Sequence, residues 1–121
     1  MAKRVLAVDD SKTMRDMVSY TLEEAGHEVV TAVDGVDALA IAQDESFDVV
    51  LADVNMPKMD GITLVGKLRA MEQFKYTPIL MITTESAAER KQEARQAGAT
   101  GWFVKPFDPE QLLATIRKVT G

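Results

Sequence analysis

The sequence predicts an α/β protein: a five-stranded, doubly wound parallel sheet with helices on both faces. Two observations carry that prediction. Short apolar runs alternate strictly with longer amphipathic segments along the 121 residues, and strict β-α alternation implies right-handed crossovers between parallel strands. Three of the runs, Val5-Leu6-Ala7-Val8, Val49-Val50-Leu51-Ala52 and Ile79-Leu80-Met81-Ile82, are apolar without interruption. Such runs suit strands covered by helices on both sides.

The first strand is expected at Arg4–Val8. A helix follows over Lys12–Ala25, where Met14, Val18 and Leu22 recur at four-residue spacing and Gly26 supplies a left-handed stop. Glu28–Ala32 reads as the second strand. Asp34 caps a helix over Gly35–Asp44 in which Val36, Leu39 and Ala40 share a face. The third strand, Val49–Ala52, leads through a loop into a helix over Gly61–Met71 carrying Leu64, Val65 and Leu68. Pro78–Ile82 is the fourth strand. Ser86-Ala87-Ala88-Glu89 has capping-box spacing, so a helix is expected over Ser86–Ala97, closed by Gly98. Gly101–Lys105 is the fifth strand. Asp108 caps the last helix, with Pro109 at its first position and Leu112, Leu113, Ile116 and Val119 as its apolar stripe.

Length and composition narrow the function. The chain fits one domain over residues 1–121, and a core of that size needs neither disulfide nor structural metal. Cysteine is absent, which excludes a thiol nucleophile and every Cys-ligated zinc or iron–sulfur site. The net charge of −5, from 14 Lys+Arg and 19 Asp+Glu, argues against a nucleic-acid partner. No apolar stretch approaches the ~20 residues of a transmembrane helix. Met1-Ala2-Lys3-Arg4 runs straight into a strand-length segment rather than a leader, so a cytoplasmic location without membrane contact is expected. The charge is uneven: residues 88–121 hold 4 acids and 6 bases, and the remainder is strongly acidic.

In open α/β sheets ligands bind outside the carboxyl ends of the strands. The first strand ends in Asp9-Asp10, the third in Asp53, the fourth in Thr83-Thr84 and the fifth in Lys105-Pro106. Three carboxylates at one edge resist joint ionisation unless a cation sits among them. Hard oxygen ligands in a small cluster favour Mg²⁺. With Mg²⁺ a carboxylate becomes a competent nucleophile toward phosphorus. Lys105 can then serve as a point charge on phosphoryl oxygens, and Thr83 as a hydrogen-bond donor. No Gly-rich phosphate loop occurs, so a nucleotide donor is not expected.

Asp9-Asp10, Asp53-Val54-Asn55-Met56-Pro57-Lys58-Met59-Asp60-Gly61, Thr83 and Lys105-Pro106-Phe107 together resemble a response-regulator receiver domain, end to end and in order. The resemblance implies a flavodoxin-like strand order 2-1-3-4-5, no output domain, and Asp53 as phosphoacceptor. It also implies Mg²⁺ held by Asp10, Asp53 and the backbone carbonyl of Asn55, with Asp9 acting through water. Thr83 and Lys105 would contact the phosphoryl group, Lys105-Pro106 would be cis, and Asn55 and Glu85 would tune dephosphorylation. Trp102 stands where the family often has Tyr or Phe. It is either an interfacial aromatic whose indole N–H reaches water or, with Thr83, a moving switch element.

Other polar residues read as structural. Asp34 and Asp108 are caps, Asp60-Gly61 starts a helix, and His27 is expected at the surface, unable alone to build a metal site or a triad. Within the family the match is to chemotaxis-type regulators. That implies a sensor histidine kinase as phosphodonor, the flagellar motor switch as target and a monomeric state, with a phosphatase as a candidate further partner. The chain would be no turnover enzyme, catalysing only its own phosphorylation and dephosphorylation. Two alternatives stay open: a phosphorelay intermediate, and a Mg²⁺-dependent phosphatase using an aspartyl-phosphate intermediate. The second would want an acid two residues after the nucleophile, where this chain has Asn55.

Overall fold

The three uninterrupted apolar runs become the centre of the sheet because both of their faces are covered. The computed structural model describes residues 2–121. Five strands, β1 (Arg4–Val8), β2 (Glu28–Ala32), β3 (Val49–Ala52), β4 (Ile79–Thr83) and β5 (Gly101–Val104), alternate with five helices. The helices are α1 (Lys12–Glu24), α2 (Gly35–Asp44), α3 (Gly61–Arg69), α4 (Ala88–Ala97) and α5 (Pro109–Thr120). All strand pairs are parallel, in the order β2-β1-β3-β4-β5 expected of a flavodoxin-like sheet. Leu6, Val8, Val50, Ala52, Ile79 and Met81 face a core shared with α2, α3 and Ala94 of α4. Val5, Ala7, Val49, Leu51, Leu80 and Ile82 face the opposite core, built with Val18 and Leu22 of α1 and Leu112 and Ile116 of α5.

Several local expectations are corrected. α1 ends at Glu24, with Ala25 as its C-cap. α3 stops at Arg69, and a 3-10 turn over Glu72–Phe74 follows, burying Phe74. β4 starts one residue late and takes in Thr83, while β5 ends at Val104. The buried face of α2 is Gly35, Ala38 and Ala42; Val36 and Ala40 face solvent. Small residues win there because the backbone packs closely: a Cβ on Gly35 would lie 3.0 Å from Met59. Ser86 is not a helix cap. The N-cap of α4 is Ala87, with no side-chain bond, because the chain stays extended one residue longer. The Glu85 carboxylate accepts from the Ala87 amide at 3.3 Å in that stretch. His27 is buried, 8% exposed, because the turn at Gly26 folds it back on β1, where Nδ1 accepts from the Lys3 amide at 3.0 Å.

Candidate functional site

The sheet reverses its winding between β1 and β3, which opens a crevice at their carboxyl ends. Val8 pairs with Ala52, so the next residues, Asp9 and Asp53, leave the sheet side by side. The Asp53 amide donates to the Val8 carbonyl at 3.0 Å. One carboxylate oxygen from each of Asp9, Asp10 and Asp53 lies within 4.8 Å of the other two. Asp9 and Asp53 are buried and Asp10 is exposed. Across the sheet Thr83 pairs with Val104, and the Lys105 amide donates to the Thr83 carbonyl at 2.8 Å. That register delivers Lys105 to the acids, where Nζ donates to Asp9 Oδ2 at 2.8 Å and to Asp53 Oδ2 at 3.0 Å. The Lys105-Pro106 peptide is cis.

Electrostatics follow from this geometry. Burial raises the Asp9 carboxyl above the usual aspartate value, with the Asp53 charge adding to it, against the pull of Lys105 and the Ser11 amide. Burial opposes the charged form of Lys105, but its hydrogen bonds to Asp9 and Asp53 outweigh that and hold the ammonium above its ordinary value. The lysine therefore stays protonated as a fixed counter-charge. Three acids against one ammonium leave the edge short of positive charge, and the donor set is all hard oxygen, which fits a small divalent cation such as Mg²⁺.

The remaining predicted residues surround this cluster in different ways. Thr83 is fully buried, and its Oγ1 accepts from the Glu85 amide at 3.1 Å. Trp102 is half-buried, and its indole does not end in water: Nε1 donates to the Glu85 carbonyl at 3.1 Å. Asn55 is exposed in the loop after β3, and Thr84 is exposed beyond β4. Asp34 and Asp108 are caps as expected, and Asp60, expected only to start a helix, is the N-cap of α3; each accepts from an amide in its own first helical turn.

Sequence reasoning missed three contributors. The Val54 amide donates to Asp53 Oδ1 at 2.7 Å, so both oxygens of that carboxylate are engaged. Gly61 is a close-approach glycine, since a Cβ there would overlap the Asp53 carbonyl oxygen. The Gly61 amide donates to the Val54 carbonyl at 2.8 Å, locking the loop between them. Arg15 of α1 donates from Nη1 to the Asp9 carbonyl at 2.7 Å. The Asp-Gly pair carried some signal; an arginine on a helix reads only as a solvated residue.

Fold and edge together define the class: flavodoxin-like α/β proteins with an acidic, lysine-bridged site at the switch point of the sheet. The family model of the response regulator receiver domain matches residues 5–117, and the chain belongs to that family. It is 42% identical over 117 residues to chemotaxis protein CheY-3 of Vibrio cholerae, spanning 96% of this chain and 90% of that protein. It is 39% identical to chemotaxis protein CheY of Pseudomonas aeruginosa, spanning 96% and 94%. The solved structure of chemotaxis response regulator CheY4 of Vibrio cholerae is 56% identical, with a TM-score of 0.92 over 98% of this chain and 99% of that one. No helix among the described residues is long and apolar enough to cross a membrane.

Proposed function

We propose that this chain is a stand-alone, cytoplasmic response regulator that accepts a phosphoryl group on Asp53 and then binds a target through α4, β5 and α5. The observation that carries the reading is the Lys105 ammonium bonded to both Asp9 and Asp53 beside the third acid, Asp10. The phosphodonor is a phosphohistidine kinase of the chemotaxis type, and the target is the flagellar motor switch. The relatives named as chemotaxis proteins support both.

An Asp53 oxygen attacks phosphorus as the bond to the imidazole nitrogen breaks. The imidazole leaves with that electron pair and takes its proton from solvent. Asp10, Asp53 and the Asn55 carbonyl would hold Mg²⁺, with Asp9 acting through water. The ion supplies neutralisation of charge on the phosphoryl oxygens. Lys105 exchanges its bond to Asp53 Oδ2 for one to a phosphoryl oxygen. The Thr83 hydroxyl uses only a lone pair on the Glu85 amide, so its own proton is available to a second phosphoryl oxygen.

The new group carries about −1.5 to −2 charge in place of one carboxylate. Movement of Thr83 toward it is felt by Glu85 through one hydrogen bond and by Trp102 through the next. Trp102 lines a cavity of about 80 Å³ between α4 and β5 together with Lys91, Arg95 and Thr100, so the switch ends at a basic groove. Asn55 and Glu85 flank the site and set how long the phosphoryl group lasts. The protein acts as a monomer, a phosphatase is a candidate further partner, and the chain performs no turnover beyond its own phosphorylation and dephosphorylation.

The test is incubation with Mg²⁺ and acetyl phosphate, followed by intact mass and peptide mapping. One phosphoryl adduct is expected on Asp53, absent with EDTA and in Asp53→Asn. No adduct on the wild-type chain overturns the reading, and sustained turnover of small phosphoesters would favour a phosphatase instead.

A further inference from the structure

We propose that Arg15 is a positioning residue for the cation site: it fixes the peptide plane between Asp9 and Asp10 and so aims the Asp10 carboxylate. The inference rests on the Mg²⁺ site of the proposed function. Asp9 is held at every polar atom. Its amide donates to the Ala32 carbonyl, Oδ1 accepts from the Ser11 amide at 2.9 Å, and Oδ2 accepts from Lys105. Asp10 is different. It is exposed, and its carboxylate enters no hydrogen bond or ion pair among the described residues, so the backbone is what fixes where its Cα–Cβ bond points. The carbonyl of Asp9 belongs to the same peptide plane as the amide of Asp10. Arg15 Nη1 donates to that carbonyl at 2.7 Å, a charge-assisted bond from a half-buried guanidinium. The backbone of Arg15 is fixed in the first turn of α1, its amide donating to the Ser11 carbonyl at 3.0 Å. The clamp thus spans the acidic loop from α1, as outer-shell partners do for metal ligands.

The charge of Arg15 and its clamp act on a divalent cation with opposite signs. A guanidinium beside the site repels the incoming ion, so if charge alone mattered its removal would tighten binding. A positioning role predicts the reverse.

Calorimetric titration of Mg²⁺ into the metal-free protein separates the two. Arg15→Met, which keeps the apolar stem, is expected to weaken Mg²⁺ binding by about tenfold, and Arg15→Lys to recover part of the loss. In an Asp10→Asn background the same Arg15→Met change should have little further effect, because the clamp acts through Asp10. Unchanged or tighter binding in Arg15→Met overturns the clamp, as does a full tenfold loss that persists without the Asp10 carboxylate. Should Arg15→Met fail to fold, Arg15→Lys carries the comparison, with an affinity equal to wild type counting against the proposal. Absence of Mg²⁺ binding to the wild-type chain would instead overturn the metal site itself.

Discussion

The imidazole of His27 sits at the pole opposite the acidic edge, near the start of β1. Its Nδ1 accepts from the Lys3 amide, so the folded state needs that nitrogen unprotonated. Burial pushes the imidazole below its ordinary value of 6.5, and the positive charges of Lys3 and Arg117 push it further the same way. Below that ordinary value the unfolded chain takes up a proton that the folded chain refuses. Stability therefore rises with pH through the window beneath 6.5 and is lost as pH falls through it. In His27→Asn the side-chain oxygen stands in for Nδ1 but does not titrate. Urea midpoints of the wild-type protein should fall from about pH 7.5 to about pH 5.5, and the fall should flatten in His27→Asn. Parallel curves for the two proteins would mean that other groups govern the window.

Helix α4 is held mainly at its C-terminal end. Arg69 donates through Nε and Nη2 to the Gly98 carbonyl at 3.1 and 2.8 Å, pinning the C-terminal end. The N-terminal half meets α3 through Arg90 and Asp60, 3.6 Å apart, a partly exposed pair that contributes little. Ala94 is buried along its length, and the N-cap Ala87 offers no side-chain oxygen to the first-turn amides. An element so anchored is the one free to shift at low cost. Ala87→Ser should stabilise the protein by about 0.5–2 kcal/mol in urea denaturation. Hydrogen exchange of the first-turn amides of α4 should slow in parallel, and exchange left unaltered would mean that fraying there is not what limits the helix. The same element shows why some features are legible in the sequence and others are not. Buried parallel strands read as apolar runs, and the first polar residue after each marks the carboxyl edge, so Asp9, Asp53 and Lys105 can be placed there from the residue order alone. The start of α4 lies one residue beyond its local signal because Glu85 and Trp102 hold the loop extended, a tertiary effect. The α2 face departs from its apolar pattern because close backbone approach selects Ala38 and Ala42 over the larger Val36. The Phe74 turn depends on Arg69 reaching the Phe74 and Thr77 carbonyls, a direction that side-chain identity does not encode.

Across the whole molecule, folding forces Asp9 and Asp10 together with the distant Asp53, and the one ammonium among them pairs with two of the three carboxylates. The unfolded chain cannot assemble that cluster, so a cation bound there favours the folded state by mass action. At about a hundred times its dissociation constant, Mg²⁺ should add about 2.7 kcal/mol to stability. Asp10→Asn separates this gain from the cost of assembling the cluster. Asp10 enters no ion pair among the described residues, so removing its charge relieves repulsion with Asp9 and Asp53 without breaking the bridge to Lys105. The variant should be as stable as the wild type or more so in EDTA, and less stable in saturating Mg²⁺, so that the two denaturation midpoints cross as the ion is titrated. Sodium chloride at matched ionic strength should not reproduce the crossing, because screening acts on all exposed charges rather than on one coordinated ion. A full Mg²⁺ increment surviving in Asp10→Asn would remove that residue from the site, and an equal increment from sodium chloride would reduce the effect to screening.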